Sequence, residues 1–386
     1  MKEKNFFLLL LAATGIFLAL GECVACLVDP FGLWGTELHS GINNYKVTQG
    51  AFTDIFKPYE YRWFRPDTVY IGTSKVQIGW DPFLLPEERG YNFAMPGMPL
   101  SNMRKYLAFS YRVHKPKRVY MGLDISLFDH DHYCQIGEQE RKAFSQKRLD
   151  ILSYGVLPAR MYALKESMSL MEHVLEAYRA SNANPDAPPI NLGGWHREHG
   201  IVQAVDQDGY YNVFNLVNRK TKEYKSFRYE PEAMECLGRI IDDAEQAGVE
   251  LVLFFNPLGV DEHLLIYFAG IEPQWNRIKY EVAQMHPVYD FDCINPYNVD
   301  IAGNFYDFLH YRKVYGDAVH LALDSGKTDG LAFLLDKENA GEVLRQEQEL
   351  QEAWRSENLK HFNDMRFYVE TEQEAEKGVF KDFLGF

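Results

Sequence analysis

The stretch Asp67 to Trp80 reads D-T-V-Y-I-G-T-S-K-V-Q-I-G-W and carries the decisive change of pattern in this chain. Val69, Tyr70 and Ile71 form a short apolar run that stops at Gly72, with a serine two residues on at Ser74. A buried parallel strand that breaks into a tight turn and opens a helix has this pattern. The turn lifts the serine hydroxyl above the carboxyl edge of a sheet, beside backbone N–H groups free at a helix N-terminus. Both features suit a nucleophile whose oxyanion must be stabilised. A plain N-capped turn reads the same way, so the surrounding chain has to discriminate.

Downstream, the helix after Ser74 is short because Asp81-Pro82 stops it. A second strand is expected around Tyr91–Phe93, followed by a loop with Asn92 and Gly97 and a helix through Met103, Tyr106, Leu107 and Tyr111. K-R-V-Y-M-G-L-D-I-S-L-F predicts a third strand ending near Asp124, and E-L-V-L-F-F-N-P a fourth over Glu250–Phe255. The helix before the fourth strand turns Leu237, Ile240, Ile241 and Ala244 to one face and closes on Gly248. A helix from about Trp275 to Met285 leads to a fifth strand at Val288–Phe291. This alternation predicts an α/β fold, a parallel five-stranded sheet in three layers with right-handed crossovers.

The ends and the middle of the chain read differently. Residues 1–28 open with Lys2 and Lys4 and then run apolar from Phe6 to Val28 with Glu22 as the sole charge. That covers a membrane helix, with a cytoplasmic N-terminus and the rest of the chain exported. A cleavable signal peptide competes, since Ala19-Leu20-Gly21 resembles a cleavage site; a lipoprotein signal fits Cys23 badly. The expected location is the inner or plasma membrane, single-pass, with the working part on the extracytoplasmic (periplasmic) side. Asp29 to Pro66 reads as an extended lead-in. Residues 29–129 and 230–335 then form the sheet domain, 130–229 an insertion serving as lid or substrate platform, and 336–386 a charged helical tail.

Composition narrows the function. Hydrophobic residues at 46% are enough for a substantial core, and a net charge of -15 repels phosphate backbones, so nucleic acid is not an expected partner. Beyond the anchor, Cys134, Cys236 and Cys293 show no metal-like spacing, so buried free thiols are expected, with one disulfide as the alternative, and neither metal nor cofactor is called for.

A serine nucleophile needs a base and an acid to orient it. Three Asp-x-x-His pairs exist: Asp129/His132 just after strand three, Asp317/His320 on a predicted helix as surface neighbours, and Asp307/His310 after the fifth strand. The last pair falls on the same predicted sheet edge as Ser74 and is the one selected. His196 and His199 offer a weak metal pair, Trp195, Tyr210 and Tyr211 could stack on sugars, and Arg312 could orient a substrate.

Ser74 behind a strand-ending glycine, Asn92 with Gly97 five residues on, and Asp307-x-x-His310 together resemble, in that order, the SGNH/GDSL hydrolase superfamily. With the apolar N-terminus, D-P-F-G, Y-N-F-A-M-P-G and Y-D-F-L-H-Y-R, the chain is similar to its membrane-anchored branch of alginate O-acetyltransferase-like and D-alanine-transfer-protein-like proteins. The resemblance implies Ser74 as nucleophile, His310 as base and Asp307 as its orienting acid. It also implies an oxyanion hole from the N–H groups of Ser74 and Gly97, with Asn92 a candidate donor. The activity implied is a serine O-acyltransferase acting on a polysaccharide acceptor, with a membrane-bound partner that delivers the acyl group. An esterase or deacetylase on carbohydrate or lipid esters, and a non-catalytic scaffold of an exopolysaccharide complex, are the alternatives. One departure stands out: the superfamily's G-x-N-D block is M-G-L-D here, with Leu123 where the asparagine donor is expected. Losing such a donor costs roughly 3–4 kcal/mol of transition-state stabilisation, so either Asn92 or a group from the insertion substitutes or turnover is slow. The resemblance implies transfer rather than hydrolysis, since transferases of this branch tend to lack the full hydrolase set.

Overall fold

The computed structural model describes residues 3–30, 36–37, 39–45, 53–133, 170–183, 185, 219–307 and 309–370. The chain divides into two compact units, 1–65 with 144–197 and 66–143 with 198–386.

In the first unit, α1 (Glu3–Val28) is one continuous helix, and its segment Asn5–Val28 has a mean hydropathy of 2.2. At 1.5 Å per residue those 24 residues span about 36 Å, long and apolar enough to cross a membrane. The lead-in contains a second helix, α2 (Thr53–Phe64), with Pro58 inside it. This corrects the reading of an extended segment: the Pro- and aromatic-rich composition masked a three-turn helix. In the same unit, α5 (Leu170–Ala183) packs against α1, and Ser181 Oγ accepts the N–H of Tyr45 at 2.9 Å.

In the second unit, the elements that precede α5 are β1 (Thr68–Ile71), α3 (Ser74–Gly79), β2 (Gly90–Asn92), α4 (Leu100–Val113) and β3 (Arg118–Leu123). After it come α6 (Pro231–Ala247), β4 (Glu250–Phe255), α7 (Val260–Phe268), α8 (Glu272–Met285), β5 (Val288–Asp290), α9 (Lys313–Ser325), β6 (Phe333–Leu335), α10 (Ala340–Glu357) and α11 (Leu359–Glu370). They build one sheet in the order β2-β1-β3-β4-β5-β6, flanked by helices. The first five strands are parallel, so the residues that follow them converge on one edge. The sheet is mixed, because β6 pairs antiparallel with β5 through Val288↔Leu335 and Asp290↔Phe333. The expectation of five parallel strands missed β6, a three-residue edge strand with too few side chains to show an alternation.

The strands are buried because helices cover them, and the pattern of β1 is buried throughout. Gly248 ends α6 in the left-handed region at φ 63°, the C-cap expected from sequence. The packing that matters most for the site lies between α3 and α9. A Cβ on Gly316 would stand 1.8 Å from the Gly79 carbonyl oxygen, and one on Gly79 would stand 2.0 Å from the Tyr311 ring. Glycine at both positions lets α3 lie directly on α9. Beneath them Tyr70, Trp80, Tyr120 and Phe254 form an aromatic core with His320 stacked on Trp80, the ring centroids 4.8 Å apart. His320 is thus a core residue. This corrects its reading as a surface neighbour of Asp317, which pairs with Lys313 instead. Cys236 and Cys293 are buried free thiols, and Cys134 lies outside the described residues.

Candidate active site

The turn after β1 is built by steric necessity. A side chain on Gly72 would meet Val76 Cγ2 at 2.6 Å and the Gly122 carbonyl at 3.2 Å. Thr73 takes the N-cap of α3 in extended backbone geometry, and Ser74 is its first helical residue. The backbone N–H of Gln77 closes the turn on the Thr73 carbonyl at 3.1 Å.

His310 reaches this turn from a second loop, which is itself pinned. Phe305 and Tyr311 form an isolated antiparallel bridge, and the Tyr306 N–H donates to the His310 carbonyl at 2.8 Å. Within the loop Asp307 Oδ1 accepts the N–H groups of Leu309 at 2.7 Å and His310 at 2.8 Å, while Oδ2 lies 2.8 Å from His310 Nδ1. His310 Nε2 lies 2.9 Å from Ser74 Oγ. Burial alone would lift the Asp307 carboxyl, but the bond to the His310 imidazole and the two backbone N–H groups hold it below its ordinary value. An ionised Asp307 only accepts, so Nδ1 carries the proton and Nε2 is free to accept from the Ser74 hydroxyl. The three side chains therefore form a continuous relay in the order needed to deprotonate a serine.

Ser74, His310 and Gly97 line one cavity of about 780 Å³. Gly97 adopts φ 59°, a left-handed conformation that a side chain would strain. The cavity wall also draws on Arg219, Lys220, Glu223 and Tyr224 from the helical segment 219–225. The C-terminal end of the expected insertion thus contributes directly to the site.

Two of the expected residues sit elsewhere. Asn92 is fully buried, and its Nδ2 donates to the carbonyls of Val76 and Trp80, both at 3.0 Å. It ties up carbonyls at the C-terminal end of the short α3, and its amide N–H groups are spent there. Arg312 donates from Nε to the Phe305 carbonyl at 2.9 Å and stacks its guanidinium over the Tyr306 ring, so it stiffens the His310 loop. Asp129 and His132 stand at the cavity rim, where Asp129 accepts the Arg228 N–H. His196, His199, Trp195, Tyr210 and Tyr211 lie outside the described residues.

The departure at Leu123 takes a physical form here. Leu123 is buried in β3, opposite Phe255, and the polar residue at the cavity is the next one, Asp124. Asp124 accepts the Thr73 hydroxyl at 2.5 Å and Asn256 Nδ2 at 3.2 Å. The Asn256 carbonyl oxygen accepts the Tyr311 hydroxyl at 3.0 Å, and Trp80 Nε1 donates to that hydroxyl at 3.0 Å. Lys75 Nζ, next to the serine in sequence, pairs with Glu262 at 2.8 Å and lies 3.6 Å from Asp124, and Glu262 accepts the Tyr224 hydroxyl at 2.5 Å. Sequence reasoning missed this network. Asp124 and Asn256 ended strands and could have been suspected, whereas Glu262, in the first turn of α7, reads as an ordinary helix-start acid.

The tightest acidic group among the described residues is Asp290, Asp292 and Glu347. Lys279 Nζ fills it, 2.9 Å from each carboxylate, which leaves no gap for an ion. No protein-family model, curated protein or solved structure matches this chain.

Proposed function

We propose that this protein is a membrane-tethered serine O-acyltransferase of SGNH type, with a three-layer catalytic domain, that works on the extracytoplasmic side of an inner or plasma membrane. The observation that carries the reading is the Ser74–His310–Asp307 relay, with gaps of 2.9 Å and 2.8 Å. In the first half-reaction Ser74 Oγ attacks an acyl carbonyl, most simply acetyl, as its proton passes to His310 Nε2. The carrier leaves with that proton, and Ser74 holds the acyl group as an ester. In the second half a sugar hydroxyl gives its proton to His310 and attacks the ester, and the proton returns to Ser74. The backbone N–H groups of Ser74 and Gly97 serve the oxyanion. The membrane-spanning length of α1 supports tethering, and Lys2 and Lys4 ahead of it favour an exported domain. The resemblance in motif order supports a polysaccharide acceptor and a membrane-bound partner that supplies the acyl group.

Water as acceptor would make the same residues an esterase. The resemblance favours transfer, since transferases of that branch tend to lack the full hydrolase donor set, and Asp124, a carboxylate at the cavity end of β3, supplies no donor to an oxyanion. The full-length chain in detergent micelles should release p-nitrophenol from its acetate ester, and Ser74→Ala should lower that rate by roughly 10³-fold or more. Equal rates in the two proteins would sink the reading. Oligosaccharide acceptors that gain acetyl mass at the expense of free acetate would separate transfer from hydrolysis.

A further inference from the structure

Ser74 shares its turn with a buried ammonium group, and the charges around that group do not balance. Lys75 is 6% exposed and is faced by Glu262 from α7 and Asp124 from the end of β3, with Asp292 behind them. Two carboxylates against one ammonium leave an excess negative charge in the wall of the cavity that holds the nucleophile. The Thr73 hydroxyl and Asn256 amide donate to Asp124, and the Tyr224 hydroxyl donates to Glu262, so each carboxylate is further solvated by dipoles. On the rim, Lys220 and Arg219 pair with Glu223 and Arg228 with Asp131, Asp129 is a further acid, burial favours neutral His132, and Asp307 faces His310 from its own loop.

A carboxylate at Asp124 opposes the two charge changes that acylation requires. It disfavours an oxyanion in the same cavity, and it favours imidazolium over the neutral imidazole that a base requires. We propose that Lys75 is a positioning residue whose ammonium offsets part of the charge of Glu262 and Asp124, and so favours a neutral His310 and a usable oxyanion hole. This rests on the acyl-serine reading above. Burial opposes the charge on Lys75, but Glu262 and then Asp124 outweigh it and hold the group above the ordinary lysine value, so the cation persists throughout the working range of a histidine base. Lys75 also ties α7 and β3 to the nucleophile turn, and packing alone would need no charge there.

The test uses the full-length chain in detergent micelles and a fluorophosphonate probe followed by intact mass. Ser74 Oγ forms the new bond to phosphorus, fluoride leaves, and the serine proton passes to His310. The labelling rate rises with pH as the imidazolium loses its proton, so the midpoint reports His310 in the free protein. Lys75→Met removes the cation and should move the midpoint up by roughly one pH unit, the size expected for a charge across a partly dry cavity. Asp124→Asn should move it down by a similar amount, and the double variant should return it near the starting value. Opposed shifts that cancel are not produced by loosened packing. If Lys75→Met fails to fold, the downward shift in Asp124→Asn still carries the test. Ser74-dependent labelling with an unmoved midpoint in Asp124→Asn, or in a folded Lys75→Met, would overturn the role of Lys75 alone. Labelling that persists in Ser74→Ala would overturn the acyl-serine reading itself.

Discussion

Lys75 and Lys279 are the same device in two settings. Each is an ammonium group buried among carboxylates, Lys75 with Glu262 and Asp124, Lys279 with Asp290, Asp292 and Glu347. Lys75 stands in a cavity wall beside a serine, whereas Lys279 is 0% exposed and joins α8, β5 and α10 in a sealed core. In the sealed cluster, burial and then the Asp290 charge lift the Glu347 carboxyl well above its ordinary value. Burial also opposes ionisation of Asp292, but Lys279 and then His263, 2.9 Å away, hold it below. A charge cluster closed to solvent and substrate can only tie elements together. One open to a cavity can also set the protonation of a neighbouring base.

The largest effect should come from breaking the sealed cluster. Lys279→Met leaves the buried acids Asp290, Asp292 and Glu347 without their cation and should cost about 3–5 kcal/mol in urea unfolding, while the folded fraction keeps its Ser74 labelling rate. A labelling rate that collapses with stability would erase the distinction between the two clusters.

His320 separates burial from pairing, because among the described residues its ring nitrogens have no hydrogen-bond partner. Burial lowers its pKa to about 4. Between that value and the ordinary 6.5, the unfolded chain binds the extra proton, so stability falls as pH drops through this window. The full difference is about 3 kcal/mol. His320→Phe should flatten this limb in denaturant midpoints measured from pH 7 down to 4; an unchanged slope would assign the acid loss to other groups.

A smaller change should act on the open cluster alone. Gly316→Ala puts a Cβ 1.8 Å from the Gly79 carbonyl, so α3 and α9 must part. The expected cost is about 1–3 kcal/mol, with slower fluorophosphonate labelling as the Ser74–His310 gap widens. Normal labelling in a destabilised protein would show that the turn holds its geometry without the glycine contact. Smallest of all, Lys75→Met should lose only about 1–2 kcal/mol, since cavity water can solvate the carboxylates it abandons. A loss as large as that of Lys279→Met would mean that Lys75 is as sealed as its counterpart.

Local signals in the chain were enough for the strand–turn–helix at Ser74, the strand over Glu250–Phe255, the Gly248 cap and the apolar N-terminal helix. Each depends on neighbours in sequence: an apolar period, a glycine that must take positive φ, a proline that stops a helix. The Asp307/His310 pair could be chosen among three because its position after the fifth strand put it on the edge that Ser74 occupies. Sequence alone could not measure the 2.9 Å contact between Ser74 and His310, residues 236 apart. It also misjudged three features: α2 inside a Pro-rich lead-in, β6 as a three-residue edge, and His320 as a surface group. In each case long-range packing overrode a weak local pattern. Tertiary structure alone turned Asn92 into a brace for α3, brought Glu262 across to Lys75, and set Asp124 against Thr73 and Asn256. Those contacts join β2, the end of β3, α3 and α7, and no period along a single element encodes them. The serine was legible because a turn is local; the electrostatics around it were not, because charges interact through space.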